Sequence, residues 1–251
     1  MKLLHLLRQR ANRHAIYSRA AYWNSKAEHS PGDQASMWNN SHLNHLYNRE
    51  TFAVIDSVCG ELEGTDCLEL GCGTGRICRF LAARGARVTG VDFAEKALEI
   101  ARRDPGSGKI TYRQISMLEL DYREEFDWVI SWGSIVFACP ASRDPEVLLE
   151  KIFLSLRPGG RALLLEPVHS GFLHRVLKMN ARAFAASMKN AGFVIDRIEP
   201  MHFWPVRLLL AYLRWPAAFT AFFYELGQAF MKRFPFAWMG DYKVIVATKP
   251  K

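Results

Sequence analysis

Short runs of β-forming apolar residues alternate with segments of helical periodicity from Asp66 onward. The strand-like runs are CLEL, ARVTGVD, KITYRQIS, FDWVIS, RALLLEP, FVIDRIE and DYKVIVATK. The helix-like segments between them are GRICRFLAAR, AEKALEIARR, DPEVLLEKIFLSL and ARAFAASMKNAG, and RPGG at 157–160 is predicted to turn into the fifth strand. Strands that alternate with helices predict a parallel sheet covered on both faces, with a ligand at the carboxyl ends of the strands.

Two segments depart from this alternation. Residues 1–50 precede the first strand and are rich in aromatic residues and Asn, and residues 204–237 separate the last two strands. We therefore predict an N-terminal helical lid at 1–50, an α/β domain at 51–203 and 238–251, and a helical insert at 204–237 that acts as a cap. The lid could close over a cofactor or only pack a helix on the sheet.

The insert contains a stripe of apolar side chains with the spacing of one helix face. Its members are Phe219, Phe222, Phe223, Leu226 and Phe230. Such spacing predicts an amphipathic helix. Ordinary core packing and a cap over the binding cleft both explain the stripe.

The net charge of +8 is concentrated at the two ends of the chain. Residues 1–30 contain six Lys or Arg against one acidic residue, and residues 171–251 contain twelve against four. Solvated surface is the usual explanation of such ends, and contact with anionic lipid or nucleic acid is the alternative.

The cysteines and the N-terminus predict a cytoplasmic protein. The five cysteines are odd in number and form no C-x-x-C pair, which favours reduced thiols and no zinc site. The opening MKLLHLLRQR has too short an apolar run for a signal peptide.

The stretch CLELGCGTGR contains three closely spaced glycines, Gly71, Gly73 and Gly75. The dinucleotide pattern G-x-G-x-x-G fails because Arg76 occupies the place of its third glycine, and no Gly-Lys-Ser/Thr follows to make a phosphate loop. The ligand must therefore approach the main chain closely without presenting a phosphate there.

LELGCGTG matches E-x-G-x-G-x-G and resembles the first motif of the class I S-adenosylmethionine-dependent methyltransferases, with the nearest likeness to their small-molecule branch of quinone and lipid type. The resemblance implies a Rossmann-like, doubly wound sheet of seven strands, mostly parallel with an antiparallel last strand. It also implies S-adenosylmethionine as cofactor and S-adenosylhomocysteine as product. The carboxylate of Glu69 suits the ammonium of that cofactor, where it would repel a phosphate.

Asp92 ends the second strand, 23 residues after Glu69, and can accept hydrogen bonds from both ribose hydroxyls. The alternative is that it only caps the next helix. The resemblance places Phe93 against the adenine, Ser116 where relatives carry an adenine-binding Asp, and Trp132 at the methionine end. The full predicted cofactor set is Glu69, Gly71, Cys72, Gly73, Gly75, Asp92, Phe93, Ser116, Met117, Ser131 and Trp132.

Methyl transfer to a hydroxyl needs a base, and His169, just past the fifth strand, is the predicted one. A loop histidine bonded to backbone is the alternative reading, and His174 and His202 are weaker candidates.

The expected acceptor is a small apolar or lipid-linked molecule, methylated at oxygen rather than nitrogen. Peripheral contact with an anionic membrane is also expected, given the apolar insert and the basic N-terminal segment. The alternatives are an aminopropyl-transferase-like enzyme and a non-catalytic cofactor-binding module. Nucleic-acid modification is disfavoured because no Asn/Asp-Pro-Pro-Tyr signature follows the fourth strand.

Overall fold

A computed structural model describes residues 13–30, 32–35, 37–138, 144–170 and 180–251. They form one sheet of seven strands in the order β3-β2-β1-β4-β5-β7-β6, in which β7 is antiparallel to both of its neighbours. The strands are β1 Asp66–Leu70, β2 Arg87–Asp92, β3 Ile110–Gln114, β4 Phe126–Trp132, β5 Leu156–Glu166, β6 Val194–Phe203 and β7 Gly240–Thr248. The predicted fold, a mostly parallel doubly wound sheet with an antiparallel last strand, is confirmed.

Helices cover both faces of the sheet. The α-helices of the described residues are α1 Arg13–Tyr17, α2 Ala20–His29, α3 Ser41–Cys59, α4 Arg76–Ala82, α5 Glu95–Arg103, α6 Ile135–Ala138, α7 Asp144–Ser155, α8 Ala181–Asn190, α9 Trp204–Leu210 and α10 Ala217–Arg233. Two separate apolar clusters, one with Leu68 and Val129 and one with Cys67 and Ile130, show that neighbouring strand residues point to opposite faces. The central strands are therefore buried on both sides.

Two strands differ in length from the predicted ones. The segment RPGG belongs to β5 rather than to a turn, because Leu156 already pairs with Phe126 and the Gly159 N–H donates to the Lys249 carbonyl. Strand β3 ends at Gln114 because Ser116 caps a short 3-10 helix at Met117–Glu119.

The N-terminal segment and the insert pack against each other. Asn40 caps α3 through its side-chain oxygen, while its Nδ2 donates to the Leu210 carbonyl and to the Thr220 hydroxyl, each at 3.1 Å. Buried side chains of α3, including Leu43, form an apolar cluster with side chains of α9 and α10. Helix α3 runs through residue 50, so the chain has no break at the predicted boundary, and the division into three segments stays a prediction.

The aromatic stripe of the insert lies mostly on the outer surface of α10. The helix buries Thr220, Tyr224, Gly227 and Met231 instead, while Phe222 is 63% and Leu226 55% exposed. The interpretation that the stripe packs in the core is therefore wrong for Phe222 and Leu226. The close approach of α10 to the fold occurs at Gly227, where a Cβ would lie 2.8 Å from Val206 and 3.0 Å from Phe203.

Candidate functional site

A cleft of about 340 Å³ opens at the carboxyl ends of the parallel strands. Its floor follows the strand order: Asp92 ends β2, Glu69 and Gly71 lie at the end of β1, and Trp132 ends β4. Because β7 is antiparallel, its first residues reach the same edge and bring Asp241 and Tyr242 into the cleft. The cleft therefore has one end at β2 and another at β5 and β7.

The glycine loop after β1 adopts backbone conformations that other residues avoid. Gly71, Gly73 and Gly75 have φ values of 64°, 53° and 77°. A Cβ at Gly71 would overlap the Ser134 side chain and lie 3.2 Å from the Met117 methyl group. The bare backbone that the sequence indicated is therefore required by both conformation and space.

Glu69 is a buried carboxylate in the wall of the cleft. Among the described residues, its Oε2 atom has no hydrogen-bond partner. Burial raises the pKa of Glu69 to about 7, although hydrogen bonding with Cys78 and the charge of Arg76 act in the opposite direction. A buried acceptor of this kind fits the ammonium group of an amino-acid moiety such as that of S-adenosylmethionine.

Asp92 connects the glycine loop to the second strand. Its Oδ2 accepts the Gly73 N–H and its Oδ1 accepts the Ala94 N–H, both at 2.8 Å. Burial raises the pKa of Asp92, and these backbone bonds oppose the rise. Each carboxylate oxygen has a second lone pair, so Asp92 can hold the loop and still accept from ribose hydroxyls.

The predicted cofactor set divides into residues that line the cleft and residues that do not. Those that line it are Glu69, Gly71, Cys72, Gly73, Asp92, Phe93, Met117 and Trp132. Gly75, Ser116 and Ser131 are absent from the lining. A Cβ at Gly75 would overlap the Tyr112 hydroxyl, the Ser116 hydroxyl accepts the Leu118 N–H, and the Ser131 hydroxyl donates to Glu166 at 2.6 Å. Gly75 and Ser116 thus lie in the loops after β1 and β3, and Ser131 lies within β4, with none of the three lining the cleft.

His169 is buried in the cleft wall beyond the end of β5. Its backbone carbonyl accepts the Ala181 N–H at the start of α8. His202 lies outside the lining, with its ring stacked on Tyr47 and its Nδ1 2.9 Å from Glu50. The other candidate, His174, lies outside the described residues.

A buried ion pair that was not predicted from the sequence lies at the β7 end of the cleft. Arg207 from α9 pairs with Asp241 of β7 and also donates to the Tyr212 hydroxyl at 3.1 Å. Aromatic rings adjoin this pair. The Trp132 ring stacks on the Tyr242 ring with 5.3 Å between their centroids, and its centroid lies 5.8 Å from that of Trp38. Aromatic rings therefore lie beside a buried ion pair at this end of the cleft.

Glu166, at the end of β5, is a second missed carboxylate. It accepts the Ser131 hydroxyl and the backbone N–H groups of Ser134, Ile135 and Val136. Burial raises its pKa to about 7, and these hydrogen bonds oppose the rise. Glu166 therefore fixes the loop after β4 that borders the glycines.

Aromatic side chains of the N-terminal segment cover the β2 end. Tyr17, Tyr22 and Trp23 line the cleft, and Tyr17 also contacts Phe137 of α6 at 5.1 Å. Lys26 lies over the Trp23 ring, and burial lowers its pKa to about 8. These side chains enclose the end of the cleft at which Asp92 lies.

The raised pKa of Glu69 predicts a pH-dependent stability of the cofactor-free protein. An acid with a higher pKa in the folded state binds its proton more tightly there, so its contribution to stability is lost as pH rises from about 4.5 through 7. The Glu69→Gln variant lacks this titration. Urea unfolding should show its stability, relative to wild type, rising by about 2 kcal/mol between pH 5 and pH 8. If the unfolding free energies of the two proteins changed with pH in parallel, the raised pKa of Glu69 would be contradicted.

The described residues contain neither a cluster of metal ligands nor a membrane-spanning helix. No group of three His, Cys, Asp or Glu side chains there could hold a metal ion. Nor does any helix of that part combine the length and apolar character needed to cross a membrane.

Comparison with known proteins gives concordant results. Residues 67–160 match a family model described as a methyltransferase domain. A ubiquinone biosynthesis O-methyltransferase of Bordetella parapertussis is 29% identical over 184 residues, covering 64% of this chain and 76% of that protein.

Two solved structures share the fold of this chain. The [4+2]-cyclase SpnF has a TM-score of 0.61 at 21% identity, covering 85% of this chain and 86% of that one. An S-adenosylmethionine-dependent methyltransferase from Mesorhizobium loti has a TM-score of 0.57 at 19% identity, covering 78% and 96%.

Proposed function

Because the chain belongs to the class I S-adenosylmethionine-dependent methyltransferases, we propose that it methylates an oxygen atom of a small, mainly apolar acceptor. The observation that carries this proposal is the aromatic β7 end of the cleft, with Trp38, Trp132 and Tyr242 around it. The name of the Bordetella relative supports oxygen as the methylated atom. Family membership also favours methyl transfer over the aminopropyl-transfer alternative.

The cofactor is proposed to lie along the cleft from β2 to β4. Asp92 would hold its ribose, Phe93 its adenine and Glu69 its ammonium group. When bound, S-adenosylmethionine supplies a methyl group on a positively charged sulfur. The acceptor would then occupy the end between β5 and β7, next to Trp132.

The chain's own contribution to the reaction is chiefly positioning. Holding an acceptor oxygen in line with the methyl group is worth on the order of 7–11 kcal/mol of the barrier. A hydroxyl acceptor must also lose its proton, and His169 is the base we propose because its side chain lies in the cleft wall on the acceptor side. An acceptor that is already ionised would not need it.

Turnover with paired acceptors tests the proposal. Phenols and amines of matched apolar size would be incubated with methyl-labelled cofactor, and label in an aryl ether together with release of S-adenosylhomocysteine is expected. His169→Gln should lower turnover of an un-ionised phenol by about 100-fold or more, while leaving the affinity for S-adenosylhomocysteine unchanged. Label found only in amines would reject oxygen as the acceptor atom, and normal turnover of His169→Gln would remove that residue from the mechanism.

We also propose peripheral contact with anionic membranes through an outer apolar face on and after α10. This face consists of Phe222, Leu226, Phe230, Phe234, Phe236 and Trp238, all exposed. The exposed basic residues Lys232 and Arg233 adjoin it, which suits anionic lipid. The opposite side of α10 packs against α9, which contributes Arg207 to the cleft, so an acceptor held in the bilayer would be near the site.

Vesicle sedimentation tests the membrane proposal. Wild-type protein should sediment at low salt with vesicles that contain anionic lipid and less with neutral ones. Phe222→Gln combined with Leu226→Gln should lower partitioning at least 10-fold, because two large side chains no longer enter the bilayer. Val194→Gln, which changes an equally exposed apolar residue on the edge strand β6, is the control. No sedimentation of wild type, or an equal loss in the control, would contradict the proposal.

A further inference from the structure

Arg76 is a cation in the cleft that the proposed function leaves without a role. It is the first residue of α4, directly after the glycine loop, and only 9% of its surface is exposed. Its guanidinium carbon lies 4.4 Å from the centroid of the Trp132 ring. It lines the same cleft as Glu69, and its charge acts on that carboxyl group. A positive and a negative side chain therefore occupy the same wall.

The amino-acid end of S-adenosylmethionine carries an ammonium and a carboxylate, so it needs both signs of charge. Glu69 suits only the ammonium, and a ligand carboxylate next to Glu69 would be repelled. A guanidinium is the side chain best matched to a carboxylate, because its N–H groups can donate in pairs. Its planar face can stack on an aromatic ring at the same time, as Arg76 does on Trp132.

We propose that Arg76 binds the α-carboxylate of S-adenosylmethionine while Glu69 binds its ammonium group. Stacking on Trp132 holds the guanidinium at the methionine end of the cofactor. The inference rests on the proposed function only for the presence of the cofactor; it involves neither the acceptor nor the base. Arg76 also occupies the position that a third glycine would take in a dinucleotide-binding loop, so this position contributes a binding side chain instead of bare backbone.

Calorimetry with two ligands tests the proposal without any turnover. The first ligand is S-adenosylhomocysteine, and the second is its decarboxylated form, which keeps the amine and lacks the carboxylate. Arg76→Gln should weaken binding of S-adenosylhomocysteine by about 10- to 100-fold, the effect of losing a charge-assisted hydrogen-bonded pair. It should change the affinity for the decarboxylated ligand less than about 2-fold. Arg76→Lys should give an intermediate loss for the first ligand.

Two controls separate this role from a structural one. Arg103→Gln removes a charge from the exposed end of α5, where the Arg103 side chain is 77% exposed, and should leave both affinities unchanged. Glu69→Gln should weaken both ligands, because both carry the amine. Equal losses for the two ligands in Arg76→Gln, or no loss for S-adenosylhomocysteine, would overturn the proposal. A wild-type protein that binds neither ligand would overturn the cofactor assignment as well, whereas absence of oxygen methylation would leave the Arg76 assignment standing.

Discussion

Asp92→Asn is expected to weaken the binding of S-adenosylmethionine at least 100-fold. The carboxylate accepts backbone N–H groups from Gly73 and Ala94, so an amide would point a donor at one of them. It would also lose the charge-assisted bonds proposed to the ribose hydroxyls. Hydrogen bonds to charged groups contribute about 1.5–3 kcal/mol each, and the loss of two corresponds to a factor of 100 or more.

Calorimetric titration with S-adenosylhomocysteine measures this effect. Asp121→Asn, which changes an exposed carboxylate in the loop before β4, is the control and should bind normally. If Asp92 only caps α5, the variant should lose thermal stability but bind the ligand within a few-fold of wild type. That result would remove Asp92 from the cofactor site.

Asp241→Ala is expected to lower the free energy of unfolding by about 3–5 kcal/mol. Asp241 is buried and pairs with Arg207, whose side chain is also largely buried. Removing the carboxylate leaves the guanidinium in a poorly solvated place, where it still donates to the Tyr212 hydroxyl. The cost is that of an uncompensated charge rather than of the pair itself.

Urea unfolding at pH 7 measures the change, and the chain offers a matched surface pair. Arg49 and Glu225 form an ion pair at 2.7 Å with side chains 59% and 60% exposed. Glu225→Ala should cost less than about 1 kcal/mol. The double variant Arg207→Met with Asp241→Asn should regain much of the stability that Asp241→Ala loses. Equal losses of unfolding free energy for Asp241→Ala and Glu225→Ala would contradict this prediction, because they would show that water reaches the Arg207–Asp241 pair as it reaches the surface pair.

The parts of the site that follow from local sequence could be predicted. The glycines follow β1 and Asp92 is the last residue of β2, and the carboxyl ends of neighbouring parallel strands meet at one edge. Glu166 also ends a strand, but its role and that of Asp241 could not be predicted in this way, because their partners come from other elements. Glu166 accepts from residues near 134, and Asp241 pairs with residue 207, contacts that depend on strand order and on the fold of the insert.

The orientation of α10 shows a second limit of sequence patterns. Periodicity identified a helix with an apolar face, and a helix is present. The face that packs inward is instead the one that carries Tyr224 and Gly227. Close approach to Val206 requires the small residue, and the Tyr224 hydroxyl donates to Glu50 at 2.6 Å. Since both faces are largely apolar, hydrophobic spacing alone does not distinguish them.

The bonds of Asn40 have a consequence for protein engineering. One side chain caps α3 and donates to both a carbonyl of α9 and a hydroxyl of α10. In a chimera that receives only the 204–237 segment of a relative, the buried Asn40 amide would face the side chains of that relative in place of its present hydrogen-bond acceptors. Changes of acceptor preference by segment exchange therefore require that the N-terminal segment and the insert be transplanted together.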